Sequence, residues 1–103
     1  MSRIFDIKRG DTSPALRWAI ETAVDLTGAS VLFQMRVRRG ATVTNATAQI
    51  ASISPPVLRY NWVSADTATP GTYEGEFRVT YADGTTETFP NRGFITIRIG
   101  EDV

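Results

Sequence analysis

Residues 66–99, DTATPGTYEGEFRVTYADGTTETFPNRGFITIRI, decide how this chain is read. Tyr73, Gly75, Phe77, Val79 and Tyr81 fall on one side of an alternation, and Glu74, Glu76, Arg78 and Thr80 on the other. That period of two marks a strand with one face in a core and the other in water. Asp83-Gly84 follows and predicts a two-residue type I′ turn, both residues at positive φ, returning the chain into residues 85–89. Residues 89–94, FPNRGF, predict a bulge or loop, because proline cannot donate to a strand ladder. Ile95, Ile97 and Ile99 alternate again as a closing strand, and residues 101–103 are expected to form a loose tail.

The same period recurs upstream. Phe5 and Ile7 mark a short first strand that ends at Arg9-Gly10-Asp11. That triplet is similar to an adhesion tripeptide, but a strand closed by Gly-Asp needs only turn chemistry. Leu16, Trp18 and Ile20 share one phase, which places Trp18 in the core and not on a sugar-binding platform. Leu26, in a connector over residues 24–28, is expected to tuck beneath the fold. Residues 30–38 form a long strand with Val31, Phe33, Met35 and Val37 inward and Gln34, Arg36 and Arg38 outward. Leu58, Tyr60 and Trp62 set the inward phase of another strand over residues 57–62.

Residues 41–54, ATVTNATAQIASIS, carry no charge and predict either one bulged strand or two short edge strands. An edge without lysine, proline or a bulge is open to pairing with another chain. Thr42, Val43, Thr44, Asn45 and Thr47 are therefore the candidate assembly edge. The total of about seven to eight short antiparallel strands, with turn signals every 8–12 residues, predicts an all-β immunoglobulin-like β-sandwich. Residues 1–103 read as one domain of this kind. Tyr73, just after Pro70-Gly71, fits a tyrosine corner whose hydroxyl bonds backbone a few residues upstream.

Composition narrows the chemistry. An apolar fraction of 42% can supply a core, while the absence of cysteine and histidine removes disulfides, thiolate metal sites and the commonest general base. No apolar run approaches the length of a membrane span, and the opening MSRIFDIKRGD is too charged for a signal peptide, so synthesis in the cytoplasm is expected. Eleven basic residues balance eleven acidic ones. They are segregated: residues 26–65 hold Arg36, Arg38, Arg39 and Arg59 with no acid, and residues 66–87 hold Asp66, Glu74, Glu76, Asp83 and Glu87 against Arg78. Neighbouring strands 30–38 and 72–81 explain this without nucleic acid, with Arg36 and Arg38 meeting Glu74 and Glu76 across the sheet. Glu74 and Glu76, about 7 Å apart along a strand, lack the burial that would tune an acid–base pair. No enzyme activity, metal or cofactor is expected.

Several of these residues, in order, resemble one known family, the N-terminal domain of phage baseplate upper proteins. They are Ile7-Lys8-x-Gly10-Asp11-Thr12, Val24-Asp25-Leu26-Thr27-Gly28-Ala29, Met35-Arg36, Tyr60-x-Trp62, Asp66-Thr67-x-x-Pro70-Gly71-x-Tyr73, Asp83-Gly84, Phe89-Pro90-Asn91 and Gly93-Phe94. The resemblance spans nearly the whole chain. It implies an immunoglobulin-like virion structural module, attached to tail, baseplate or head by protein–protein contacts. The resemblance makes other virion proteins its partners, and the uncharged edge adds further copies of itself. The balanced charge and the lack of a membrane-length run lead to the expectation of no nucleic acid and no membrane. The longer relatives carry a receptor-binding part, which a chain ending at Val103 is expected to lack. The family supplies no catalytic residues. Arg36, Arg38, Arg39 and Phe94 are the expected exposed contacts, since Phe94 is out of phase with Ile95, Ile97 and Ile99. An exposed aromatic also admits the alternative of a carbohydrate-binding adhesion module.

Overall fold

The structure is a computed structural model and describes residues 3–103; Met1 and Ser2, part of the charged opening above, lie outside the described residues. Nine strands are formed among them: β1 (Ile4–Lys8), β2 (Leu16–Ala19), β3 (Ser30–Val37), β4 (Thr42–Thr47), β5 (Gln49–Ser52), β6 (Val57–Tyr60), β7 (Gly71–Thr80), β8 (Thr86–Phe89) and β9 (Ile95–Gly100). The larger sheet runs β1-β9-β7-β3-β4, with β8 also paired to β7, and the smaller runs β2-β6-β5. The long β7 is shared: Gly71 to Gly75 pair with β9, and Phe77 to Thr80 pair with β8. The loop containing Pro90 lets one return strand become two. Every pairing is antiparallel except β1 with β9, which is parallel and corrects the expectation of antiparallel strands throughout.

Alternation builds the core between these sheets. Phe33, Phe77, Leu58, Val79 and Ile97 are fully enclosed, and Leu26 from the connector joins them. Phe33 lies at the centre. Its ring stacks on Tyr60 at 4.5 Å, meets Trp62 edge-on at 5.5 Å and tilts against Phe77 at 5.3 Å. A Cβ on Gly75 would come within 3.1 Å of that ring, a contact that the ring would have to relieve by shifting a few tenths of an ångström. Trp18 is buried as its phase predicts, and Trp62 is buried although β6 stops at Tyr60.

The uncharged segment resolves as two strands on different sheets. β4 ends at Thr47, Ala48 is buried at the crossing, and β5 begins at Gln49. The Asp83-Gly84 hairpin forms, but not as a two-residue type I′ turn. Only Gly84 has a positive φ, +88°, and the Gly84 N–H donates to the Tyr81 carbonyl. Tyr81 pairs with Thr85 across a three-residue loop, the type I turn plus left-handed glycine that gives a bulged hairpin. Asp83 steers the choice: its carboxylate accepts from the Thr85 N–H at 2.9 Å and the Thr85 hydroxyl at 2.6 Å. That Asx-type bond holds Asp83 at ordinary φ.

Candidate interaction surfaces

The two sheets are tied at one corner by Asp66, in a short 3-10 turn at Ser64–Thr67. Its carboxylate accepts from the Tyr60 hydroxyl at 2.7 Å, the Val63 N–H at 2.9 Å and the Thr44 hydroxyl at 3.3 Å. Tyr60 belongs to the small sheet and Thr44 to the large one, so one side chain bridges both. Burial, and then the Asp66 carboxylate, push the Tyr60 phenol well above its ordinary value. Next along the chain, the Tyr73 hydroxyl donates to the Thr69 carbonyl at 2.6 Å, which is the tyrosine corner expected from sequence. The fully buried Thr67 donates to the Asp11 carbonyl and pins the turn after β1.

The edge of the large sheet is β4, bonded on one side only, to β3. Thr42, Val43, Asn45 and Thr47 are exposed along it. Thr44 is not: its side chain is 5% exposed and turned to Asp66, so it offers the edge only its backbone. The register shifts between Met35 and Arg36, leaving Val43 as the extra residue of a bulge. The edge therefore has one of the guards that sequence reading denied it, and its regular part is Thr44 to Thr47.

On the outer face of the large sheet two arginines, Arg36 and Arg98, are answered by carboxylates. Arg36 lies opposite Glu74 in register, and its Nε donates to the Glu74 carboxylate at 2.9 Å. The Arg39 N–H, from a residue held at φ +58°, adds a bond to the same carboxylate at 3.3 Å. Partial burial would raise Glu74, but the Arg39 N–H, the Arg36 guanidinium and the Arg38 charge together hold it below the usual carboxylate value. Glu76 departs from the expected pairing, because its cross-strand neighbour is Gln34 while Arg38 lies beyond the end of β3. Farther along the sheet, Arg98 grips Asp6 with two bonds, at 2.7 and 3.0 Å. Arg9 reaches Asp102 at 2.6 Å, so the tail expected to be loose is tethered.

Phe94 is half-buried, not exposed. The Arg36 guanidinium sits 4.7 Å from its ring centroid, a cation–π contact. Together with Gln34, Thr42, Glu74 and Glu76 these two side chains line a groove of about 140 Å³. Arg38 and Arg39, in the turn after β3, are exposed. Among the described residues no group of three or more His, Cys, Asp and Glu is placed to hold a metal ion, and no helix is long and apolar enough to cross a membrane.

The outer face of the small sheet is arranged differently, and sequence reading missed it. Arg17 of β2 lies directly opposite Arg59 of β6. Gln49 of β5 lies on the other side of Arg59 and accepts from its guanidinium at 2.6 Å and from the Asn61 amide at 3.0 Å. Arg59 Nε is buried without an acceptor, and Arg17 is exposed with no hydrogen bond or ion pair among the described residues. Like charges set opposite each other across strands are destabilising. The missing signal was the β2–β6 register, which alternation alone does not fix.

No protein-family model matches the chain, and no match is found among curated proteins. Solved structures do match. CopC from Methylosinus trichosporium OB3b is similar with a TM-score of 0.59 at 15% identity, over 96% of this chain and 85% of that one. An IG1 domain from the ZIG-8–RIG-5 heterodimer aligns with a TM-score of 0.49 at 14% identity, over 96% of this chain and 82% of that one. At such identities the likeness concerns the fold alone. The chain is an immunoglobulin-like β-sandwich.

Proposed function

We propose that this domain is a non-catalytic docking module of a bacteriophage virion, held on tail, baseplate or head by contacts with other virion proteins. The observation that carries the docking half is the uncharged β4 edge, with Thr42, Val43, Asn45 and Thr47 exposed and one side of the strand unpartnered. Backbone groups on such an edge are ready to pair with a strand from a second chain. The virion half is supported by the ordered resemblance to phage baseplate upper proteins. The edge, the half-buried groove at Phe94 and the arginine turn at Arg38 and Arg39 would face neighbours in the particle.

Two measurements test this. Mass spectrometry of purified particles is expected to find the protein; its absence from them would sink the virion reading. Asn45→Pro is expected to impair self-association or docking while leaving Tm within a few degrees, because the change sits on the unpartnered side of an edge strand. Solution mass by light scattering reads the self-association directly. A large fall in Tm with assembly intact would contradict the edge as the docking surface.

A further inference from the structure

We propose that the outer face of the small sheet, β2-β6-β5, is an anion-recognition site whose occupant is a carboxylate-bearing segment of a partner protein, held by Arg17 and Arg59. The two arginines stand directly opposite each other on adjacent antiparallel strands. Their Cβ atoms are then about 5 Å apart by sheet geometry. Neither arginine forms an ion pair among the described residues. The strands β2, β5 and β6 carry no acidic residue, and the sequence holds none between Asp25 and Asp66. Glu21, in phase with Arg17, lies two residues past the end of β2. The local acceptor, the Gln49 amide oxygen, already serves both Arg59 and Asn61.

Charge complementarity therefore points to an anion, and guanidinium forks match carboxylates in a bidentate manner. A protein carboxylate fits better than a nucleic-acid backbone. Tracking phosphates takes a run of cations, whereas the pair here has Gln49 across from Arg59, and Ala19 and Asn61 two residues along the chain, in a chain of zero net charge. The occupant's carboxylate would lie over β2 and β6, where the two arginines are cross-strand neighbours. It would not lie along β5, which is on the far side of Arg59 from Arg17 and is broken by a register shift between Ile50 and Ser52. The inference rests on the docking reading for the kind of partner, a protein, and not on its place in a virion.

The test is titration of the purified chain with hexaglutamate, followed by NMR amide shifts, beside a single-stranded DNA oligonucleotide of matching charge. Hexaglutamate is expected to move amides of β2 and β6. Arg17→Gln, a change at an exposed side chain, is expected to keep the wild-type spectrum elsewhere and weaken binding roughly tenfold or more. Arg78→Gln, on the other sheet, is expected to bind as wild type does. The inference is overturned by an absence of shifts on the small sheet, by equal binding of the Arg17 variant, or by tighter binding of the oligonucleotide. A protein found in particles but indifferent to hexaglutamate would sink this inference and leave the docking reading standing.

Discussion

The two outer faces of this sandwich use the same residue in opposite ways. On the large sheet, Arg36 and Arg98 each meet a carboxylate across a strand, at Glu74 and Asp6. On the small sheet, Arg17 meets Arg59, and neither forms an ion pair among the described residues. One face pairs Arg36 and Arg98 with carboxylates and leaves Arg78 between Leu32 and Thr88, while the other sets two cations directly against each other. A mutually supportive fold tends to remove such conflicts, so one that remains on a surface points outward, to a partner. Exposed arginines alone would not separate these faces; the identity of the cross-strand neighbour does.

Both faces rest on one core and one corner, and the largest expected effect removes the corner. Asp66→Ala takes away the acceptor of three hydrogen bonds and strands the buried Tyr60 hydroxyl. The expected loss is about 2–4 kcal/mol in denaturant unfolding. It should loosen both sheets together, because Thr44 and Tyr60 lie on different ones. Amide exchange that rises on one sheet alone would show that Asp66 does not bridge them. Tyr73→Phe is the milder change, expected to cost about 1–2 kcal/mol through loss of the bond to the Thr69 carbonyl. An unchanged Tm would mean that this bond contributes nothing.

Acid sharpens the contrast between the faces. Arg98 holds Asp6 below its ordinary 3.8 chiefly through a side-chain hydrogen bond, and Arg9 does the same for Asp102. Glu74 also lies below its ordinary 4.5, despite the opposing push of burial. A carboxyl depressed in the folded state contributes stability that is fully present above the unfolded value and lost as pH falls through the folded one. Wild type is therefore expected to weaken steadily on acidification through and below that range. Glu74→Gln should start lower at neutral pH and lose less on the way down. Parallel Tm–pH curves for the two proteins would show that the Arg36–Glu74 pair is energetically silent. The arginines of the small sheet have no acidic partner, so Arg17→Gln should leave the acid limb unchanged.

What could be read from sequence follows from what period and local chemistry encode. Alternation located Phe33, Phe77 and Ile97 in the core, and Pro70-Gly71-x-Tyr73 announced the corner. The Arg36–Glu74 pair was legible because both strands are long and their segregated charges suggested pairing. Glu76 against Gln34 was not, since a strand's period gives the face of each side chain and not its partner. The same limit hid Arg17 opposite Arg59, where one residue of slip would have set different neighbours side by side. The Asp83-Gly84 turn went wrong for a local reason, because Asp83 satisfies Thr85 from ordinary φ and lengthens the loop by one residue. One bulged strand was among the readings of the uncharged, Thr-rich run, but nothing in it singled out Val43 as the extra residue.

The smallest expected effect is also the one with the sharpest sign. Arg17→Gln removes one of two directly opposed cations without cutting into the core. It is expected to raise stability by about 0.2–1 kcal/mol at low salt, the scale of a cross-strand pair. Arg78→Gln is the control, because Arg78 faces Leu32 on one side and Thr88 on the other and should change little. Salt then distinguishes repulsion from attraction. The screening length falls from about 10 Å at 0.1 M to about 3 Å at 1 M. Added salt should close the gap by which Arg17→Gln exceeds wild type, and should also shrink the deficit of Glu74→Gln. The two variants would approach wild type from opposite sides. If instead Arg17→Gln starts below wild type, Arg17 is already compensated within the fold, and the contrast between the two faces disappears.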